Sequence, residues 1–136
     1  MTTLNPQILG RAENAHRALL DRTLTGTGLS YHQWVALKIT AAGGAGDGLA
    51  GKVANALKTG EPAARQAIAG LVAAGLLAED GPAALTPAGR DLHDRLTAAI
   101  DETVTRLYSD VPAGDLAVAG RVLTLITARA DAELAR

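Results

Sequence analysis

Apolar residues recur at helical spacing along most of this chain, and the places where the spacing fails divide it into elements. From residue 5 to about 25, Ile8, Ala12, Ala15, Leu19 and Leu20 mark one apolar stripe. Pro6 stands where a first-turn proline belongs, and Gly26 and Gly28 close the helix. Ser30 can cap the next helix, with Gln33 three residues on completing a capping box and Leu29 placed to staple against Trp34 or Val35. Trp34, Leu37 and Ala41 form its buried face. Gly43, Gly44, Gly46 and Gly48 then interrupt all periodicity, which predicts a loop over residues 42–48.

Residues 49–89 organise the rest. Leu49, Val53 and Leu57 fall at i+4 spacing in a short helix over 49–57. A second helix begins between Thr59 and Pro62, where Thr, Gly and Pro supply capping and first-turn chemistry, and Ile68, Leu71, Val72 and Gly75 line its inner face. Gly75 provides a left-handed cap. Residues 76–78 can form a strand, 79–83 (EDGPA) a turn, and 84–86 a returning strand, after which Thr86 or Pro87 opens another helix. That order is a winged helix-turn-helix. The following helix, 87–108, repeats Leu92, Leu96, Ile100, Val104 and Tyr108 every fourth residue. Pro112 breaks it, and a last helix over 113–133 carries Leu116, Ala119, Val122, Leu123, Ile126 and Ala130.

The fold class is therefore mostly α: a winged helix-turn-helix with a short two-stranded wing, and terminal helices whose stripes have no place in its small core. Those stripes must be buried somewhere, and a second copy of the chain satisfies them. The expected organisation is an N-terminal dimerisation helix (1–28), a winged helix-turn-helix reading region (29–90) and C-terminal dimerisation helices (91–136).

Three segments resemble the MarR (multiple antibiotic resistance regulator) family: LSYHQWVAL at 29–37, similar to that family's Leu-Thr-x-x-Gln-aromatic-x-x-Leu, AGLL at 74–77, and LTPAGRDL at 85–92. With the flanking helices the match spans nearly the whole chain. The resemblance implies a twofold dimer built by the terminal helices. Its two recognition helices would stand roughly 34–36 Å apart on a pseudo-palindromic DNA site. It also implies effector pockets between the dimerisation helices and the winged-helix core, to which His16, Tyr31, Trp34 and Tyr108 can contribute an aromatic wall for a small aromatic or phenolic ligand. The burial preference of Trp nevertheless favours the core for Trp34.

Composition sharpens this picture. Of 136 residues 48% are hydrophobic, much of that Ala, and only 2% are aromatic, with no Phe, so the core is one of packed helices rather than sheets. The absence of Cys excludes disulfides and thiolate metal sites. No charged and apolar leader and no apolar run of ~20 residues is present, so a cytoplasmic protein without a membrane partner is expected. A net charge of −1 is unusual for a DNA reader.

The candidate base readers are Arg65, which can bond guanine bidentately, and Gln66, which can bond adenine, behind the small Ala63 and Ala64 at the helix tip. Lys52, Lys58, Thr59 and Arg90 are candidate phosphate contacts. Across 47–90 the four cations Lys52, Lys58, Arg65 and Arg90 meet four anions, Asp47, Glu61, Glu79 and Asp80. Family wings carry a basic tip; here 79–84 is acidic and lacks Arg.

His93 lies beside Asp91 and Asp94, but no second His stands at i+3 or i+4, so neither a metal site nor a cofactor is expected. No nucleophile–base spacing, phosphate loop or paired carboxylates point to an enzyme. The leading expectation is a homodimeric, effector-modulated transcriptional regulator on double-stranded DNA. Its rival is a dimeric ligand-binding or protein-interaction module that keeps the fold with weak or lost DNA binding.

Overall fold

A computed structural model describes residues 2–43 and 48–136. Most of the glycine-rich loop expected over 42–48, Asp47 included, lies outside them. Six helices are described: α1 (Pro6–Leu24), α2 (Tyr31–Ala41), α3 (Leu49–Leu57), α4 (Glu61–Ala73), α5 (Pro87–Tyr108) and α6 (Ala113–Leu134). The chain divides into two compact units, residues 1–100 and 101–136.

Local chemistry sets the helix ends in the first unit. The Asn5 side chain accepts the Ile8 amide (3.0 Å) with Pro6 in the first turn of α1. At α2 the capping box is complete: the Gln33 amide donates to Ser30 Oγ (3.1 Å) and the Ser30 amide donates to Gln33 Oε1 (2.9 Å). At the end of α4, Gly75 adopts φ +76°, the Leu76 amide reaches back to the Leu71 carbonyl (2.9 Å) and the Gly75 amide to Val72 (3.0 Å). This is a Schellman closure, and it turns the chain toward the wing.

Helices α2, α3 and α4 pack on one another. Trp34, Leu37, Val53 and Leu71 are its largest fully buried side chains, joined by Leu49, Leu76, Leu77, Leu92 and Leu96. On α4 the inward face is Ala64, Ala67 and Leu71, with Ile68 and Val72 half-buried beside them. The small alanines let α4 approach the core closely, which leaves Ala63, Arg65 and Gln66 on or near the outer side.

The wing is shorter than expected. Instead of two strands it has one antiparallel bridge, Leu77 with Leu85, flanked by Ala78 N–H to Ala84 C=O (2.8 Å) and Thr86 N–H to Leu76 C=O (3.1 Å). Alanines at 78, 83 and 84 have little strand preference and Pro82 has no amide to donate, so the ladder does not extend. What anchors it is its exit. Thr86 Oγ1 donates to the Gly75 carbonyl (2.6 Å) and accepts the Gly89 amide (3.0 Å), joining the end of α4 to the first turn of α5. Gly89 is buried against the wing so closely that a Cβ there would overlap the Leu76 carbonyl oxygen.

The every-fourth-residue stripe of α5 divides. Leu92 and Leu96 are buried and Ile100 packs against the core, whereas Val104 and Tyr108 are exposed. In the second unit no residue of α6 is buried; Leu116, Val118, Leu125, Ile126 and Leu134 all face solvent. In the first unit Leu4, just ahead of α1, and Leu9, near its start, do the same. Among the described residues, no single helix is long and apolar enough to cross a membrane.

Candidate nucleic-acid interface

Helix α3, a three-residue turn and α4 form the helix-turn-helix. The turn is made by Lys58, which takes a left-handed conformation (φ 54°) and ends α3, followed by Thr59 and Gly60. A non-glycine residue in that region is uncommon, and its position is held by the Thr59 amide bonding to the Ala54 carbonyl (3.1 Å). Lys58 Nζ donates to Asn55 Oδ1 (3.1 Å), which keeps the ammonium on the outer surface. Thr59 Oγ1 donates to the Gly60 carbonyl (3.2 Å), so its hydroxyl does not cap α4. The first amides of α4 have no side-chain cap and begin at Gly60. They leave a partial positive charge at the tip of the helix.

Lys52, Arg65, Gln66 and Arg90 are exposed and Ala63 is half-exposed. Ala64 is different: it is fully buried, its methyl group part of the core, so it has no surface to offer a base. Arg65 does not stand alone. Its Nη2 donates to Glu61 Oε2 at 2.7 Å, one helical turn back, with both side chains well exposed. By sequence Glu61 figures only in the charge balance and not as a partner of Arg65, although i,i+4 spacing between an acid and an arginine is a readable signal.

Beside the outer face of α4 lies an open depression of about 380 Å³ lined by Ser30, His32, Gln33, Ala63, Gln66 and Ala67. It brings the first turn of α2 next to the candidate reading residues. Gln33 links the two helices, since its amide group lies so close over Gly70 that a Cβ there would overlap Nε2. The acidic wing residues Glu79 and Asp80 are exposed.

Of the four residues expected around an effector, His16, Tyr31 and Trp34 lie in the first unit, each in different surroundings. Trp34 is 2% exposed and stacks on His93 with ring centroids 5.8 Å apart, a partner that sequence spacing did not indicate. Lys38 Nζ stands 5.9 Å from the Trp34 ring centroid. Tyr31 is half-buried under the Arg17 guanidinium, whose carbon is 3.6 Å from the ring centroid. His16 is exposed on α1, with Nδ1 2.7 Å from the Ala12 carbonyl. Tyr108 belongs to the second unit, where it is exposed. Among the described residues no cluster of three or more His, Asp or Glu side chains is arranged to hold a metal ion.

No family model and no curated protein matches this sequence. Solved structures do. A MarR-family transcriptional regulator from Silicibacter pomeroyi is 25% identical, with a TM-score of 0.77 over 91% of this chain and 88% of that one. The transcriptional regulator PA3341 is also 25% identical, with a TM-score of 0.79 over 92% and 96%. A MarR-family protein of Mycobacterium tuberculosis, solved in complex with DNA, is 22% identical with a TM-score of 0.72 over 92% and 98%. The same protein has been solved with p-aminosalicylic acid.

Proposed function

We propose that this chain, which has the MarR-family winged-helix fold, is a DNA-binding transcriptional regulator and not an enzyme. It acts in the cytoplasm as a homodimer on a pseudo-palindromic operator. The observation that carries this reading is the two-sidedness of α4: Ala64, Ala67 and Leu71 fill the core while Arg65 and Gln66 stand exposed on a helix whose tip is uncapped. A side chain free of the core on such a helix has the reach needed for base edges in a major groove. Lys52, Lys58 and Arg90 then supply phosphate contacts, and Thr59 and Ala63 sit at the approach to the groove.

Dimerisation is supported by the apolar residues that the single chain leaves in water on α1, the second half of α5, and α6. We assign the effector region to the neighbourhood of His16 and Tyr31 in the first unit, with Trp34 serving as core rather than wall. A small aromatic or phenolic acid suits it by charge, because the Arg17 guanidinium lies over Tyr31. Such a ligand alters DNA affinity only as far as it prefers one spacing of the two heads over another.

The test is the salt dependence of binding to duplex DNA. Three phosphate contacts per head, six per dimer, give a slope of log K against log salt of about −5. Micromolar protein that fails to retain any duplex at low salt would replace this reading with the rival one, a dimeric ligand-binding or interaction module. The specific observation behind that rival is the acidic, arginine-free wing.

A further inference from the structure

Glu61 is the one acidic side chain in α3, the turn and α4, and it occupies the first turn of the helix that carries Arg65. Its carboxylate engages Arg65 through Oε2, and Oε1 lies 3.8 Å from where a Cβ would stand on Gly51 of α3. The side chain therefore sits at the junction of the two helices. The helix dipole favours an acid in the first turn and the exposed pair itself contributes little to stability, yet this is the one point where a phosphate-binding surface would least favour a negative charge.

We propose that Glu61 is a specificity-determining residue that makes Arg65 selective for guanine over phosphate; this rests on the DNA-binding reading above. The guanidinium has five N–H donors in a rigid fork. One hydrogen of Nη2 goes to Glu61, which restricts the long side chain before DNA arrives and leaves the remaining donors for a bidentate contact with guanine O6 and N7. A lone phosphate gains less from an arginine already partnered by a carboxylate, and the carboxylate itself repels it. Glu61 thus lowers affinity for DNA in general and raises the preference for a guanine at one position in each half-site.

The probe is a library of duplexes with a randomised core, bound by the full chain and by the Glu61→Gln, Arg65→Ala and doubly substituted variants. Gln keeps the length and helix preference of the side chain, and matching thermal melts confirm that it folds. With Glu61→Gln, binding to the unselected library should tighten severalfold, while the guanine preference selected by the native chain, roughly tenfold for a bidentate arginine, should fall toward that of Arg65→Ala. In the Arg65→Ala background, Glu61→Gln should leave base preference unchanged. Uniform tightening on all sequences with the preference intact would overturn the proposal, reducing Glu61 to a surface charge. A preference change that persists without Arg65 would also overturn it. If the native chain binds the library but Arg65→Ala selects the same sequences, the proposal falls and DNA binding stands; if the native chain binds no duplex, both fall.

Discussion

Gly89→Ala is the substitution for which helix propensity and packing predict opposite outcomes. Gly89 is in the first turn of α5, where alanine would ordinarily stabilise the helix by about 1 kcal/mol. The added methyl would overlap the Leu76 carbonyl oxygen, with that residue's carbonyl carbon at 3.0 Å and its Cα at 3.3 Å. All three are backbone atoms, so no side chain can rotate away. Leu76 is itself fixed, its amide bonded to Leu71, its carbonyl accepting the Thr86 amide at 3.1 Å and its side chain 9% exposed. Relief requires α5 to move off the wing and breaks the Thr86–Leu76 bond, a loss of about 1 kcal/mol, while forced repacking adds roughly 1–3 kcal/mol. Net of the helix gain, the variant should be less stable by about 2 kcal/mol, which lowers the melting temperature by roughly 6–10 °C in a chain of this size. Calorimetry at one protein concentration measures it, because association would make the midpoint depend on concentration. Gly51→Ala is the control: its Cβ meets only Glu61 Oε1 at an ordinary 3.8 Å, and it should gain about 0.5–1 kcal/mol. Gly89→Ala melting at or above the native temperature would refute the close approach of α5 to the wing.

Ser30→Ala removes the acceptor for the Gln33 amide and should cost about 1 kcal/mol in urea denaturation. Gly70→Ala displaces the Gln33 side chain from the same capping box, so the two substitutions together should cost less than their separate effects added. Leu125→Glu places a charge on a residue 48% exposed in the single chain; on the proposed reading the native chain should sediment as a dimer and this variant as a monomer. A Leu125→Glu protein that still sediments as a dimer would move the interface off that face of α6. Replacing Glu79 and Asp80 with Gln and Asn should tighten binding to random duplex DNA at low salt without changing base preference, since the wing then ceases to repel phosphates.

Much of the architecture was readable because it depends on neighbours in sequence. The bounds of α3 and α5, the Ser30–Gln33 box and the left-handed Gly75 follow from spacing and capping chemistry within a few residues. The wing was overestimated because turn chemistry at 79–83 predicts reversal of the chain, not the length of the ladder on either side. Other features depend on how one helix is rotated against the next. The Trp34–His93 stack joins residues far apart in sequence, as do Gln33 with Gly70 and Arg17 with Tyr31. Periodicity placed Trp34 on an inward face but carried no information on what lies opposite. Ala64 shows the same limit within one helix: a small residue near the tip reads as an opening for DNA, yet the phase of α4 turns it into the core.

The charge balance bears on why two copies would be needed. A head whose four cations meet comparable acids gains little from the general attraction that holds most DNA readers near a duplex. Beyond its few phosphate contacts, its affinity must then come from base contacts, worth about 1–3 kcal/mol each, and from engaging two half-sites at once. Coupling two weak heads converts the second contact into an intramolecular event and can raise overall affinity by about 10²–10⁴ without any new interaction, provided the spacing fits. The same coupling makes affinity steeply sensitive to that spacing. A nearly neutral head is therefore the kind on which a ligand bound elsewhere has most leverage, because little non-specific attraction remains to hold the protein on DNA once the spacing is wrong. The apolar residues left exposed on α6 are, on this view, as necessary to DNA binding as Arg65.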